Sequence, residues 1–157
     1  MLRARALAAV LLASALLAGC TVPRWPVDGR LTSPYGLRQG GGLLPDIHRG
    51  VDIAVPTGTP VRAMAPGRVA YAGTMSGYGR VVIVDHGGGT RTIYAHLSEV
   101  RVASGQELEG RAVIGLSGSS GRATAPHLHF EVLRRGRAED PVPLLGGAPG
   151  SGRPRSP

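Results

Sequence analysis

Beyond its first twenty residues the chain repeats apolar side chains with a period of two, never at helical spacing, and that constrains the fold most. Arg80 to Asp85 carries the β-branched run Val81-Val82-Ile83-Val84, and Gly87-Gly88-Gly89 offers a turn. Thr90 to His96 returns with further β-favouring residues, so a hairpin is predicted here. Other strand regions are predicted over Thr59 to Ala72, broken at Pro66-Gly67, over Arg111 to Leu116, and over His127 to Arg134. Ser117 to Pro126, rich in Gly, Ser and Thr, reads as a loop. With 25 glycines, 13 prolines and few aromatics, many turns and short strands suit the composition better than a helical bundle. The expected fold class is all-β, a sandwich or half-open barrel of short antiparallel strands with little or no helix outside the leader.

The leader is read from the first twenty residues. Arg3 and Arg5 precede an apolar run from Ala6 to Leu17 that only Ser14 interrupts. Such a run fits a signal-peptide core and is short for a membrane span. Leu17-Ala18-Gly19-Cys20 resembles the lipobox of bacterial lipoproteins, which implies cleavage before Cys20 and lipidation of its thiol. The alternative is an ordinary signal peptide with a chance cysteine. Cys20 is the only cysteine, so no internal disulfide can form. The expected layout is a leader over 1–19, a tether over 20–30, one domain over 31–145 and a disordered tail over 146–157. A lipid anchor implies the cell envelope. In a Gram-negative cell, Thr21 in place of an aspartate favours the periplasmic side of the outer membrane; otherwise the outer face of the cell membrane is expected. The formal net charge of +8 is carried wholly by arginine. These arginines are scattered along the chain, and few aromatics are available to stack on bases, so no nucleic-acid partner is expected.

The chemistry lies in five histidines. In Pro126-His127-Leu128-His129-Phe130-Glu131-Val132, strand alternation turns His127, His129 and Glu131 to one face and Leu128, Phe130 and Val132 to the core. Two imidazoles about 7 Å apart on one face can serve one site, one as metal ligand and the other as base; two exposed histidines on a half-exposed strand fit the same pattern. In His48-Arg49-Gly50-Val51-Asp52, Gly50 and the β-branched Val51 and Ile53 favour an extended segment with His48 and Asp52 on one face. A His and an Asp from one segment, with a His from another, make a three-ligand zinc set that leaves a fourth position open. A polar turn is the plainer reading of His48 and Asp52 alone. His86, at the hairpin turn in Asp85-His86-Gly87-Gly88, is expected to be structural.

Taken together, a set of short stretches resembles the LytM/lysostaphin-type zinc metallopeptidases, peptidoglycan endopeptidases with a duplicated hybrid motif fold. The stretches are Ser33-Pro34-Tyr35-Gly36, His48-Arg49-Gly50-Val51-Asp52-Ile53-Ala54, Gly58-Thr59-Pro60-Val61, Gly67-Arg68-Val69, Gly77-Tyr78-Gly79, Tyr94-Ala95-His96-Leu97 and Pro126-His127-Leu128-His129-Phe130-Glu131. The resemblance implies one zinc ion at the floor of a β-sheet groove, held by His48, Asp52 and His129, with His96 and His127 as the catalytic pair. It implies peptide crosslinks of peptidoglycan as substrate. His96 is expected on the strand face of Thr90, Thr92 and Tyr94, and Glu131 is a candidate to orient a ligand from outside. A tyrosine that some members carry before the first zinc histidine is missing from Gly40 to Ile47, and the glycine-rich stretch Gln39 to Leu44 is expected to line one groove wall.

Relatives of this kind also include non-catalytic scaffolds that activate cell-wall amidases during division, usually with one or more of the five residues lost. All five stand here, which favours an enzyme, with a divisome or amidase partner as the alternative. A lipoyl or biotinyl carrier would need a lysine, and the chain has none.

Overall fold

In the computed structural model, which describes residues 22–38 and 46–150, the hairpin built on the valine run lies at the centre of the main sheet. The lipobox with Cys20, the leader, the stretch 39–45 and residues 151–157 lie outside the described residues. In chain order the strands are β1 (Arg30–Ser33), β2 (Gly36–Arg38), β3 (Asp46–His48), β4 (Val51–Ala54), β5 (Pro60–Arg62), β6 (Gly67–Met75) and β7 (Gly79–Asp85). They continue with β8 (Thr90–Leu97), β9 (Glu99–Val100), β10 (Glu107–Leu108), β11 (Val113–Leu116), β12 (Leu128–Arg134) and β13 (Arg137–Glu139). A single helical turn, α1 (Pro141–Leu144), follows, its first turn capped by the Asp140 carboxylate, which accepts from the Val142 N–H at 3.0 Å.

The main sheet runs β1-β4-β12-β8-β7-β6-β10, with β13 paired to β12, and every pairing in it is antiparallel. A second sheet, β5-β11-β9, shares a core with it, and β2-β3 forms a separate ribbon. Val51, Ile53, Val69, Val82, Val84, Leu128 and Phe130 come into that core from the main sheet, and Val61 and Ile114 come from the second. The all-β expectation therefore holds. The alternation along β12 holds as well: Leu128 and Phe130 are 0% exposed and Val132 2%. The intervening His129 and Glu131 take the other face.

A thread of hydrogen bonds crosses this core. Tyr94 Oη accepts from the Met64 N–H at 2.9 Å, lies 2.9 Å from Thr92 Oγ1, and Thr92 Oγ1 lies 2.8 Å from His86 Nε2. With Nδ1–H of His86 donating to the Pro66 carbonyl at 2.7 Å, every group in the chain is satisfied when the imidazole is neutral. His86 thus ties the β6 and β8 ends together, in keeping with the structural part expected of it.

The N-terminal segment differs from the tether expected over 20–30. Val27 is 4% exposed, the Trp25 ring meets Phe130 edge-on at 6.1 Å, and the Trp25 indole N–H donates to the Gly147 carbonyl at 2.9 Å. The Arg24 N–H bonds the Met64 carbonyl and the Arg62 N–H bonds the Pro26 carbonyl. Two large apolar side chains bury better against the sheet than in water, and nothing local in the sequence marks where they land. Gly147, expected in the tail, closes this strap from the other end through its carbonyl.

Burial pushes the His86 imidazole below its ordinary value of 6.5, so the unfolded chain takes up the proton first as pH falls. The stability that neutral His86 contributes is present above about 6.5 and lost below it. Thermal unfolding measured between pH 7.5 and 5 should fall for the wild type, and His86→Gln should flatten part of that fall. An unchanged slope in the variant would contradict it.

Candidate metal centre

Asp52 on β4 and His129 on β12 are directly opposed in the antiparallel ladder, which places their side chains within reach of each other on the same face. Asp52 Oδ1 lies 2.8 Å from His129 Nδ1. His48 joins them from the end of β3, its Nε2 being 3.2 Å from Asp52 Oδ1 and 3.1 Å from His129 Nδ1. In one continuous strand, residues four apart are about 13 Å apart, too far for a shared ion. The segment is therefore not one extended strand: β3 ends at His48, the chain bends at Arg49 and Gly50, and β4 starts at Val51. Gly50 allows this because a Cβ there would sit 2.3 Å from the Phe130 carbonyl oxygen and 2.8 Å from Glu131 Cγ.

The outer atoms of the three residues are all engaged. His48 Nδ1–H donates to the Pro34 carbonyl at 2.7 Å, His129 Nε2–H donates to Glu131 Oε1 at 3.0 Å, and Arg38 Nη2 holds Asp52 Oδ2 at 2.6 Å. These bonds assign the tautomers, and they leave three lone pairs pointing at one another. Ligands around a tetrahedral zinc at about 2.0–2.1 Å are separated by about 3.3 Å, so the 2.8, 3.1 and 3.2 Å edges fit a cation with little adjustment. The field agrees. Burial opposes charge on Asp52, but the His129 and His48 imidazoles outweigh it and hold the carboxyl well below the carboxylate range. Burial likewise opposes charge on His129, yet its bonds to Asp52 and Glu131 hold its imidazole above the ordinary value.

His96 and His127 stand beside this triangle, with ring centroids 4.7 Å apart. Each donates Nδ1–H to a backbone carbonyl, His96 to Ser120 and His127 to Ala125, both at 2.8 Å, so each has a bare Nε2. His127 Nε2 lies 3.7 Å from Asp52 Oδ1. Burial lowers the His96 pKa, which keeps that imidazole neutral. The face expected for His96 needs correction. Thr92 and Tyr94 are wholly buried in the core, and on a regular strand His96 would follow them. Instead the pairs Arg80↔Leu97 and Val82↔Tyr94 leave Ala95 and His96 opposite Val81 alone. This β-bulge, with His96 at φ 61° and its N–H bound to the Tyr78 carbonyl, turns the side chain out of the core towards the triangle.

A cavity of about 580 Å³ holds all five residues together with Arg38, Arg49, Tyr78, Arg122 and Glu131. Tyr78 enters the cavity from the β6–β7 turn and donates to Glu131 Oε1 at 2.7 Å. That turn packs backbone to backbone on the 120–121 loop, where a Cβ on Gly79 would lie 2.4 Å from the Ser120 carbonyl carbon. Gly77-Tyr78-Gly79 was visible as a motif, but nothing in one sequence ties Tyr78 to Glu131.

The model of peptidase family M23 matches residues 46–141, more than half of the chain. The chain belongs to peptidase family M23. Among M23-type relatives, DD-carboxypeptidase/endopeptidase Mpg of Neisseria gonorrhoeae is 45% identical over 114 residues, covering 72% of this chain and 26% of that protein. Murein hydrolase activator EnvC of Escherichia coli is 39% identical over 122 residues, covering 78% and 28%. Outer membrane antigenic lipoprotein B of Haemophilus influenzae is 36% identical over 130 residues, covering 82% and 30%. The chain thus spans under a third of the length of these relatives. Two solved structures superpose on the chain. The catalytic domain of EnpA from Enterococcus faecalis gives a TM-score of 0.66 at 32% identity, covering 78% of this chain and 96% of that one. A zinc-containing peptidase from Vibrio cholerae gives 0.72 at 30%, covering 82% and 40%.

Because Gly50 permits the bend that brings His48 to Asp52, Gly50→Ala should push β12 away and open the triangle. The expected cost is about 1–3 kcal/mol of stability, read from thermal unfolding, together with weaker zinc binding in competition with a chelator. A variant with wild-type stability and zinc affinity would refute this.

Proposed function

We propose that the protein is a zinc endopeptidase that hydrolyses peptide crosslinks of bacterial peptidoglycan. The observation that carries this reading is the convergence of three lone pairs, from His48, Asp52 and His129, beside two imidazoles with bare Nε2 atoms. In this reading the first three residues hold one zinc ion and leave a position open. Zinc bound there supplies Lewis-acid polarisation of the scissile carbonyl and makes water acidic enough to lose a proton near neutral pH.

The rest is done by the chain. A neutral imidazole of the His96–His127 pair accepts the proton of the attacking water at Nε2, and the carbon–nitrogen bond of the crosslink breaks as that proton passes to the leaving amine. The other imidazole can stabilise charge that develops on the carbonyl oxygen once its Nε2 also carries a proton, as an imidazolium whose Nδ1–H stays on its backbone carbonyl. The backbone carbonyls of Ser120 and Ala125 keep both Nδ1 protons in place, so neither ring needs to change tautomer to act.

Lipidation at Cys20 would anchor the enzyme in the cell envelope, and the name of the lipoprotein B relative supports that location. The strap through Arg24 makes the anchor short. Four residues from Cys20 to Arg24 reach at most about 14 Å, which keeps the domain close to its membrane. The name of EnvC supports a second reading, in which the domain activates a partner hydrolase and cuts nothing itself.

Purified sacculi incubated with the protein, with and without a zinc chelator, separate the two readings. The expected result is chelator-sensitive loss of crosslinked dimers by mass spectrometry, with the glycan intact. His96→Ala and His127→Ala should each slow it by about 10²–10⁴-fold while zinc content stays unchanged. Intact sacculi with a zinc-loaded protein would favour the activator reading.

A further inference from the structure

Glu131 is the only buried acid among the described residues, at 1% exposure. A carboxylate at such a depth is costly unless its charge is used. Its two oxygens are treated very differently. Oε1 accepts from both the Tyr78 hydroxyl at 2.7 Å and His129 Nε2–H at 3.0 Å. Oε2 is buried with no hydrogen-bond partner, and the nearest cation, Arg49 Nε, is 4.0 Å away. A carboxylate that served only to fill space would be better replaced by an apolar side chain of the same volume. The two histidines of the triangle also differ: the outer nitrogen of His48 meets the neutral Pro34 carbonyl, whereas that of His129 meets a full negative charge.

We propose that Glu131, steadied by Tyr78, is a positioning residue that keeps the proton of His129 on Nε2 and so presents the Nδ1 lone pair to the metal. This rests on the zinc reading above. The carboxylate strengthens His129 as a donor, and its charge together with that of Asp52 balances a divalent ion. Tyr78 acts one step further out. It comes from the β6–β7 turn, so the geometry of that turn is felt at the metal through Glu131.

The test compares the full-length protein with Glu131→Gln, Glu131→Met and Tyr78→Phe. It uses zinc affinity by chelator competition and the visible spectrum of the cobalt-substituted form. Met keeps the volume but removes the acceptor, and should lose about 10–100-fold in affinity and alter the cobalt spectrum. Gln keeps an acceptor without the charge and should recover part of that loss. Phe should lose about five-fold, the worth of one hydrogen bond. Wild-type affinity and spectrum in Glu131→Met would overturn the inference. If that variant does not fold, wild-type affinity in both Gln and Phe would do so. Failure of the zinc reading itself looks different: the wild type would bind zinc no more tightly than His129→Ala.

Discussion

Asp52 and His129 face each other across the β4–β12 ladder, and the chemistry of the site depends on that register. It is set on the opposite side of the sheet, where Ile53, Val51, Leu128 and Phe130 are fully buried. Because strand side chains alternate, a slip of one residue would send His129 and Glu131 into the core and Phe130 into the groove. The apolar packing therefore fixes the polar geometry, and the cost of a misplaced register is the cost of exposing the core. Gly50 belongs to the same constraint, since the bend that delivers His48 passes directly over the Phe130 carbonyl.

On this frame the site is assembled from segments that each hold one side chain by its far atom. Backbone carbonyls of Pro34, Ser120 and Ala125 orient His48, His96 and His127, and charged groups orient Asp52 and His129. Such bonds cost little once the backbone is in place, and they remove the rotameric freedom that a metal or a substrate would otherwise have to freeze. Arg38 has a particular effect. By occupying Asp52 Oδ2 it leaves only Oδ1 directed at the triangle.

Part of this was legible in the sequence. The valine run, the glycine turn and the alternation over His127 to Val132 report local geometry, and the structure follows them at β7, β8 and β12. The residues that converge, His48, Asp52 and His129, were named through the resemblance to the LytM/lysostaphin-type peptidases, since spacing alone left a polar turn open for His48 and Asp52. How they converge could not be read. The break between His48 and Asp52 depends on contact with Phe130, which is far along the chain. The outward turn of His96 depends on a bulge defined by its partner strand. Trp25 and Val27 looked like linker for the same reason: their value lies in surfaces formed by distant residues. Tyr78 and Arg38 each act through another side chain, so their roles are a property of the fold and not of any motif.

The central claim is that three side chains from three strands, His48 of β3, Asp52 of β4 and His129 of β12, offer one zinc ion two imidazole nitrogens and one carboxylate oxygen, leaving a position open. X-ray absorption at the zinc edge of the zinc-loaded protein tests this most directly. The account predicts a four-coordinate shell at about 2.0–2.1 Å with scattering from two imidazole rings and the remaining ligands oxygen. A six-coordinate oxygen shell, or a shell with one imidazole or none, would contradict it.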